Sequence, residues 1–66
     1  MRVQVNGETR ELEEGLTVLG LLESLGLKPS NTVVERNSVI LDRSRCGGVE
    51  LKDGDKLELV RFVGGG

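Results

Sequence analysis

The apolar residues of this chain change period twice, and that switch leaves few possible folds. Val3 and Val5 alternate with Arg2 and Gln4, the two-residue period of a half-buried strand. Val18, Leu21, Leu22 and Leu25 then fall at i, i+3, i+4 and i+7, one face of a helix. Alternation returns in Lys56 to Val63, Lys-Leu-Glu-Leu-Val-Arg-Phe-Val. A single hydrophobic helix face must bury itself against a sheet, so the pattern predicts two layers around one core. With 66 residues, 36% of them hydrophobic, there is room for one such core and no second.

Turn chemistry divides the strands. Asn6-Gly7 is the strongest short signal for a two-residue hairpin, because both positions need positive φ. It joins the first strand to the polar segment Glu8-Thr9-Arg10-Glu11-Leu12, whose charges suit an edge. Thr17 is the expected N-cap of a helix over 18–25. Gly20 weakens that helix and is expected to permit close approach to the sheet. Gly26 sits where a left-handed cap belongs, Leu27 can fold back on the last turn, and Pro29 prevents continuation. Thr32–Arg36 and Val39–Leu41 read as strands joined by Asn37-Ser38, residues 42–48 as a polar loop, and Lys52-Asp53-Gly54-Asp55 as a turn. Val49 and Leu51 are expected to close the bottom of the core. A right-handed crossover through the helix would set the apolar strand 56–63 parallel to the first strand, at the sheet centre. The fold class is therefore α+β, a mixed sheet of four to five strands with one helix across one face. Residues 1–63 form the domain and 64–66 a flexible glycine tail.

Composition excludes several activities. Nine basic and eleven acidic residues give a net charge of -2, and there is one aromatic, so nucleic acid is not an expected partner. No apolar run of about 18 residues is present, so no membrane span is expected. The alternating start at Met1 does not read as a signal peptide. A single cysteine and no histidine leave neither a disulfide nor a Cys/His metal site, and point to the reducing cytoplasm. No base, metal set or deep pocket suggests a stand-alone enzyme.

Two features carry functional information. In the last strand Leu57 and Leu59 share the face assigned to the core, while Glu58, Val60 and Phe62 share the other. If the helix covers one face only, Val60 and Phe62 form an exposed apolar patch fit to dock a partner; a twist or bulge that turns Phe62 inward is the alternative. The chain then ends in Gly64-Gly65-Gly66. Three extended residues reach ~10 Å, and without Cβ atoms they can enter a narrow channel. A carboxylate on the last glycine is a poor electrophile. Transfer of AMP from ATP makes it a mixed anhydride, and a sulfur nucleophile can then displace AMP to leave a thiocarboxylate.

The remaining candidates read as structure. Cys46 lacks a base to activate it and is expected to be an incidental loop thiol. Asp53 and Asp55 flank a turn glycine, Glu13-Glu14 is a solvated pair, and Gly47-Gly48 lacks the strand-to-helix context of a phosphate loop. Residues 1–35 carry three basic and six acidic side chains, and residues 36–66 six and five. Arg36, Arg43, Arg45 and Arg61 belong to the second part. Either they are ordinary surface charge or they flank the tail and orient partners.

Val3-Gln4-Val5-Asn6-Gly7, the Asn37 turn followed by Val39-Ile40 and Arg43, the turn Leu51-Lys52-Asp53-Gly54-Asp55 and above all the ending Val60-Arg61-Phe62-Val63-Gly64-Gly65-Gly66 resemble the ThiS family of sulfur carriers, ubiquitin-like β-grasp proteins. The likeness covers essentially the whole chain. It implies a carrier for thiamine biosynthesis, a protein substrate rather than an enzyme. Gly66 would be adenylated and thiocarboxylated, Gly64 and Gly65 would thread a partner's active site, and Val60, Phe62, Arg61 and Arg43 would face partners. Those partners would be a ThiF-like adenylyltransferase using ATP and Mg, a persulfide donor such as a cysteine desulfurase, and the thiazole synthase ThiG. The chain itself would bind no cofactor. Ser38 and Asp42 depart from the family's common glycine and proline. A MoaD-like carrier for molybdopterin or another sulfur pathway, and a ubiquitin-like protein modifier, are the alternative readings.

Overall fold

The computed structural model describes residues 1–62. β1 (Arg2–Val5) and β2 (Glu8–Glu11) form an antiparallel hairpin, followed by α1 (Val18–Ser24), β3 (Thr32–Arg36), β4 (Val39–Leu41) and β5 (Lys56–Arg61). The five strands make one mixed sheet in the order β2-β1-β5-β3-β4. β5 lies between β1, to which it is parallel, and β3, to which it is antiparallel. This is the β-grasp arrangement expected from the period switch, with the polar β2 at one edge.

Each element follows from a local cause. The β1–β2 turn places Asn6 and Gly7 at φ 49° and 85°, the left-handed pair that an Asn-Gly hairpin demands. Thr17 caps α1, its hydroxyl accepting from the Gly20 N–H at 3.0 Å. Gly26 has φ 73°, and the Leu27 N–H returns to the Leu22 carbonyl at 2.8 Å, the hydrogen bond of a left-handed helix cap. The helix ends at Ser24 with Leu25 as its cap, one residue sooner than the periodicity suggests, and Pro29 starts a short 3-10 turn (Pro29–Asn31).

The core consists of Val3 and Val5 from β1, Val18, Leu21 and Leu22 from α1, Val34 from β3, Leu57 and Leu59 from β5, with Cys46 and Leu51. Val49 packs against it half-buried. Three sequence expectations need correction. Residues 43–48 form a second 3-10 turn rather than an open loop, and it buries Cys46 to 1% exposure. The turn lies against α1. Gly20 does not serve approach to the sheet. A Cβ there would stand 2.7 Å from a Leu16 methyl, so the glycine makes room for the residue before the cap. β5 ends at Arg61 rather than residue 63, and Val63 lies outside the described residues.

Candidate functional site: the root of the glycine tail

β5 ends at Arg61 with only Phe62 and Val63 before the glycines, so the site is built from what fixes that end. β1 holds the first half of β5 through the Gln4 N–H to the Asp55 carbonyl and the Asn6 N–H to the Leu57 carbonyl, both at 2.9 Å. The backbone of β1 then turns away, and the Asn6 side chain continues the ladder. Its Nδ2 donates to the Leu59 carbonyl at 3.2 Å, and its Oδ1 accepts from the Leu59 N–H at 2.7 Å. Asn6 thus stands in for a peptide group on one edge of β5. On the other edge the Phe62 N–H donates to the Asn31 carbonyl at 3.0 Å. Asn31 closes the first 3-10 turn, its own N–H bonded to the Lys28 carbonyl at 3.1 Å. The strand is held on both sides almost to its last described residue.

Alternation along β5 sets the surface. Leu57 and Leu59 are buried under α1, whereas Val60 is 58% and Phe62 43% exposed, as expected for a sheet covered on one side. Val33, 38% exposed, lies directly opposite Val60 in the β3–β5 register and extends the patch. Ile40 of β4, 68% exposed, adds to the same face. The inward alternative for Phe62 is therefore excluded in this structure.

Arg61 and Arg43 do not join that patch. Arg61 pairs in register with the buried Thr32, so by alternation it stands on the helix side of the sheet, beyond the core. Arg43 opens the second 3-10 turn and is exposed at the same end of the molecule, because β4 runs antiparallel to β3 and leaves the sheet there. Asp42, next to it, accepts a hydrogen bond from the Ser44 N–H at 3.0 Å. That bond, with the Arg43 and Arg45 charges, holds its carboxyl below the ordinary range. The tail root thus has an apolar side and a basic side. The called residues Gly64, Gly65 and Gly66 lie outside the described residues.

Two other candidates are placed elsewhere. Asp55 is buried. Its carboxylate accepts from the Arg36 Nε at 2.9 Å, the Asn37 Nδ2 at 3.1 Å and the Lys52 N–H at 2.8 Å. Burial opposes its ionised form, but these donors outweigh it and lower its pKa. It tethers two turns at the end of the sheet opposite the tail. The Cys46 thiol is pushed up, first by burial and then by the Asp42 charge, which disfavours a reactive thiolate. An open cleft lined by Arg2, Gln4, Thr9, Gly54 and Lys56 lies by the start of β5, at the other end of that strand from Arg61. Among the described residues no group of His, Cys, Asp or Glu could hold a metal ion, and no helix is long and apolar enough to cross a membrane.

Sequence reasoning missed the Asn6 clamp and the contribution of Val33. The first had a signal: Asn both donates and accepts, whereas Asp, equally good in such a turn, cannot. Val33 required the strand register.

Comparison with known proteins agrees with this geometry. The ThiS family profile matches residues 3–66. The "Sulfur carrier protein ThiS" of Bacillus subtilis is 40% identical over 65 residues, covering 97% of this chain and 98% of its own length. The "Thiazole synthase" of Magnetococcus marinus is 42% identical over all 66 residues, and the chain spans 20% of that protein's length. A crystal structure of the thiamine biosynthesis protein (ThiS) from Geobacter metallireducens superposes with a TM-score of 0.84 at 35% identity, covering 100% of both chains. Family profile, full-length relative and solved structure coincide, and the chain belongs to the ThiS family.

Proposed function

We propose that this chain is a sulfur carrier for thiamine biosynthesis and that it is a protein substrate rather than a catalyst. The observation that carries the reading is the tail root: a central strand clamped by Asn6 and Asn31, bearing exposed Val60 and running through Phe62 and Val63 into three glycines in the sequence. The hydrogen bonds of Asn6 and Asn31 hold the strand as far as Phe62, and the apolar patch gives a partner something to grip there.

The chemistry requires a free carboxylate on Gly66. Its oxygen attacks the α-phosphorus of ATP in a ThiF-like adenylyltransferase, pyrophosphate leaves, and an acyl-adenylate results. Mg and ATP belong to that partner, and the carrier binds no cofactor of its own. The terminal sulfur of a persulfide, supplied through a cysteine desulfurase, attacks the carbonyl and AMP leaves. A thiol then cleaves the remaining S–S bond, releasing the thiocarboxylate and leaving a disulfide on the donor side. Gly64 and Gly65 pass through the partner's channel because they lack side chains. The loaded tail next enters a thiazole synthase of the ThiG type and gives up its sulfur. The setting is cytoplasmic, without nucleic acid or membrane as partner.

Intact-mass measurement after incubation with ATP, Mg, the adenylating enzyme and a sulfur donor tests this reading. The expected product has one terminal oxygen replaced by sulfur, and it supports thiazole formation when mixed with a ThiG-type synthase. An unchanged mass, with an enzyme that loads another ThiS-family carrier, overturns it.

A further inference from the structure

The sheet face turned away from α1 is banded along β5. Lys56, Glu58 and Val60 are exposed on it in turn, and Phe62 follows beyond the strand. The register sets Val33 opposite Val60 and Glu35 opposite Glu58. Two like charges directly opposite each other in an antiparallel pair destabilise the sheet, with Cβ atoms about 5 Å apart. Neither glutamate belongs to any of the ion pairs among the described residues, which join Met1, Arg2, Arg10 and Arg36 to other carboxylates. Arg36, the neighbour of Glu35, is turned to the opposite face and held by Asp55. Lys56 stands one step further from the tail than Glu58, on the same face. On the other flank of Glu35 the register places Ile40, which brings no charge. Among the described residues no ion pair engages the two glutamates, and they lie beside the exposed Val33–Val60 pair.

We propose that Glu35 and Glu58 receive an arginine of the protein that activates the tail, on a surface where that cation stands next to an apolar patch matching Phe62, Val60 and Val33. The inference rests on the functional reading above and adds the partner's chemistry. Phe62 stands four positions after Glu58, about 13 Å along an extended chain, well within a standard interface of roughly 800 Å² per partner. A protein that takes in the tail next to Phe62 thus covers the glutamates with the same surface. A guanidinium spans two carboxylates with its planar set of donors, and one cation converts the repulsion into two charge-assisted hydrogen bonds. The face then sorts partners by charge as well as by shape.

The test uses the full chain with Glu35→Gln, Glu58→Gln and both together. Urea denaturation of the free carrier is paired with initial rates of adenylation at increasing carrier concentration. The double variant is expected to be more stable than the parent, because the repulsion is gone. Its half-saturating concentration for the ThiF-type enzyme is expected to rise about tenfold, with the rate at saturation unchanged and the dependence on salt reduced. Glu58→Lys is expected to weaken saturation further. An unchanged half-saturating concentration overturns the inference, and so does a double variant less stable than the parent, since weaker loading would then follow from unfolding. If the parent chain itself is never adenylated by an enzyme that loads other carriers, the tail reading fails instead, before the glutamates are at issue.

Discussion

Ser38 shows how a single residue can sit at odds with its own backbone. The β3–β4 turn gives Asn37 φ 52° and Ser38 φ 71°. Asparagine tolerates the left-handed region, and here its side chain repays the turn by accepting from the Lys56 N–H at 3.0 Å and donating to Asp55. Serine has no such compensation among the described hydrogen bonds, and its Cβ crowds the following carbonyl at a cost of about 1–2 kcal/mol. A glycine at this place would remove that strain, at an entropic cost of about 0.5–1 kcal/mol. Ser38→Gly is therefore expected to stabilise the chain by about 0.5 kcal/mol, read as a higher urea midpoint with an unchanged slope. The sequence marked the position as a turn, but which of its two residues was strained depended on the dihedral angles.

At the scale of elements, β5 carries both the core and the site, and what positions it is a side chain of another strand. β1 contributes backbone hydrogen bonds only as far as Leu57, and Asn6 extends the pairing to Leu59. Asn6→Asp keeps a residue suited to the Asn-Gly turn. However, it replaces the donor facing the Leu59 carbonyl with an oxygen. The expected loss is about 1–3 kcal/mol, and amide hydrogen exchange at Leu59 should quicken relative to Leu57. Equal exchange at the two positions would mean that the clamp contributes nothing to the strand. The alternation of β5, the polar edge strand and the capped helix were all legible from residue spacing. The 3-10 turn that buries Cys46 was not, because a run of Arg, Ser, Cys and Gly has no period of its own and folds only against α1.

Across the whole molecule the two ends of the sheet do different work. One end issues the tail. The other is tied by Asp55, which joins the β3–β4 turn to the turn before β5 through Arg36, Asn37 and the Lys52 N–H. Since the folded pKa of Asp55 lies below its ordinary 3.8, its contribution is present above that value and is lost as pH falls through the folded pKa. Asp55→Asn is expected to cost about 2 kcal/mol at pH 7, and the gap to the parent should narrow below about pH 4. Urea titrations at pH 7 and pH 3 check this; a gap that stays constant would show that the Asp55 charge plays no part. Asp42, whose carboxyl is also lowered, is present in both proteins and cancels in the difference.

The residue order alone determined the number and kind of elements, the turns, the face of β5 that is buried and the glycine ending, because these follow from periods of two and 3.6 and from which residues accept positive φ. Only the tertiary structure decided what meets across strands: Val33 beside Val60, Glu35 against Glu58, Arg61 on the side away from Phe62, and Asn6 along the edge of β5. Those pairings join residues far apart in the chain. Spacing along one strand fixes a face, but a neighbour on that face exists only once strand order and register are set.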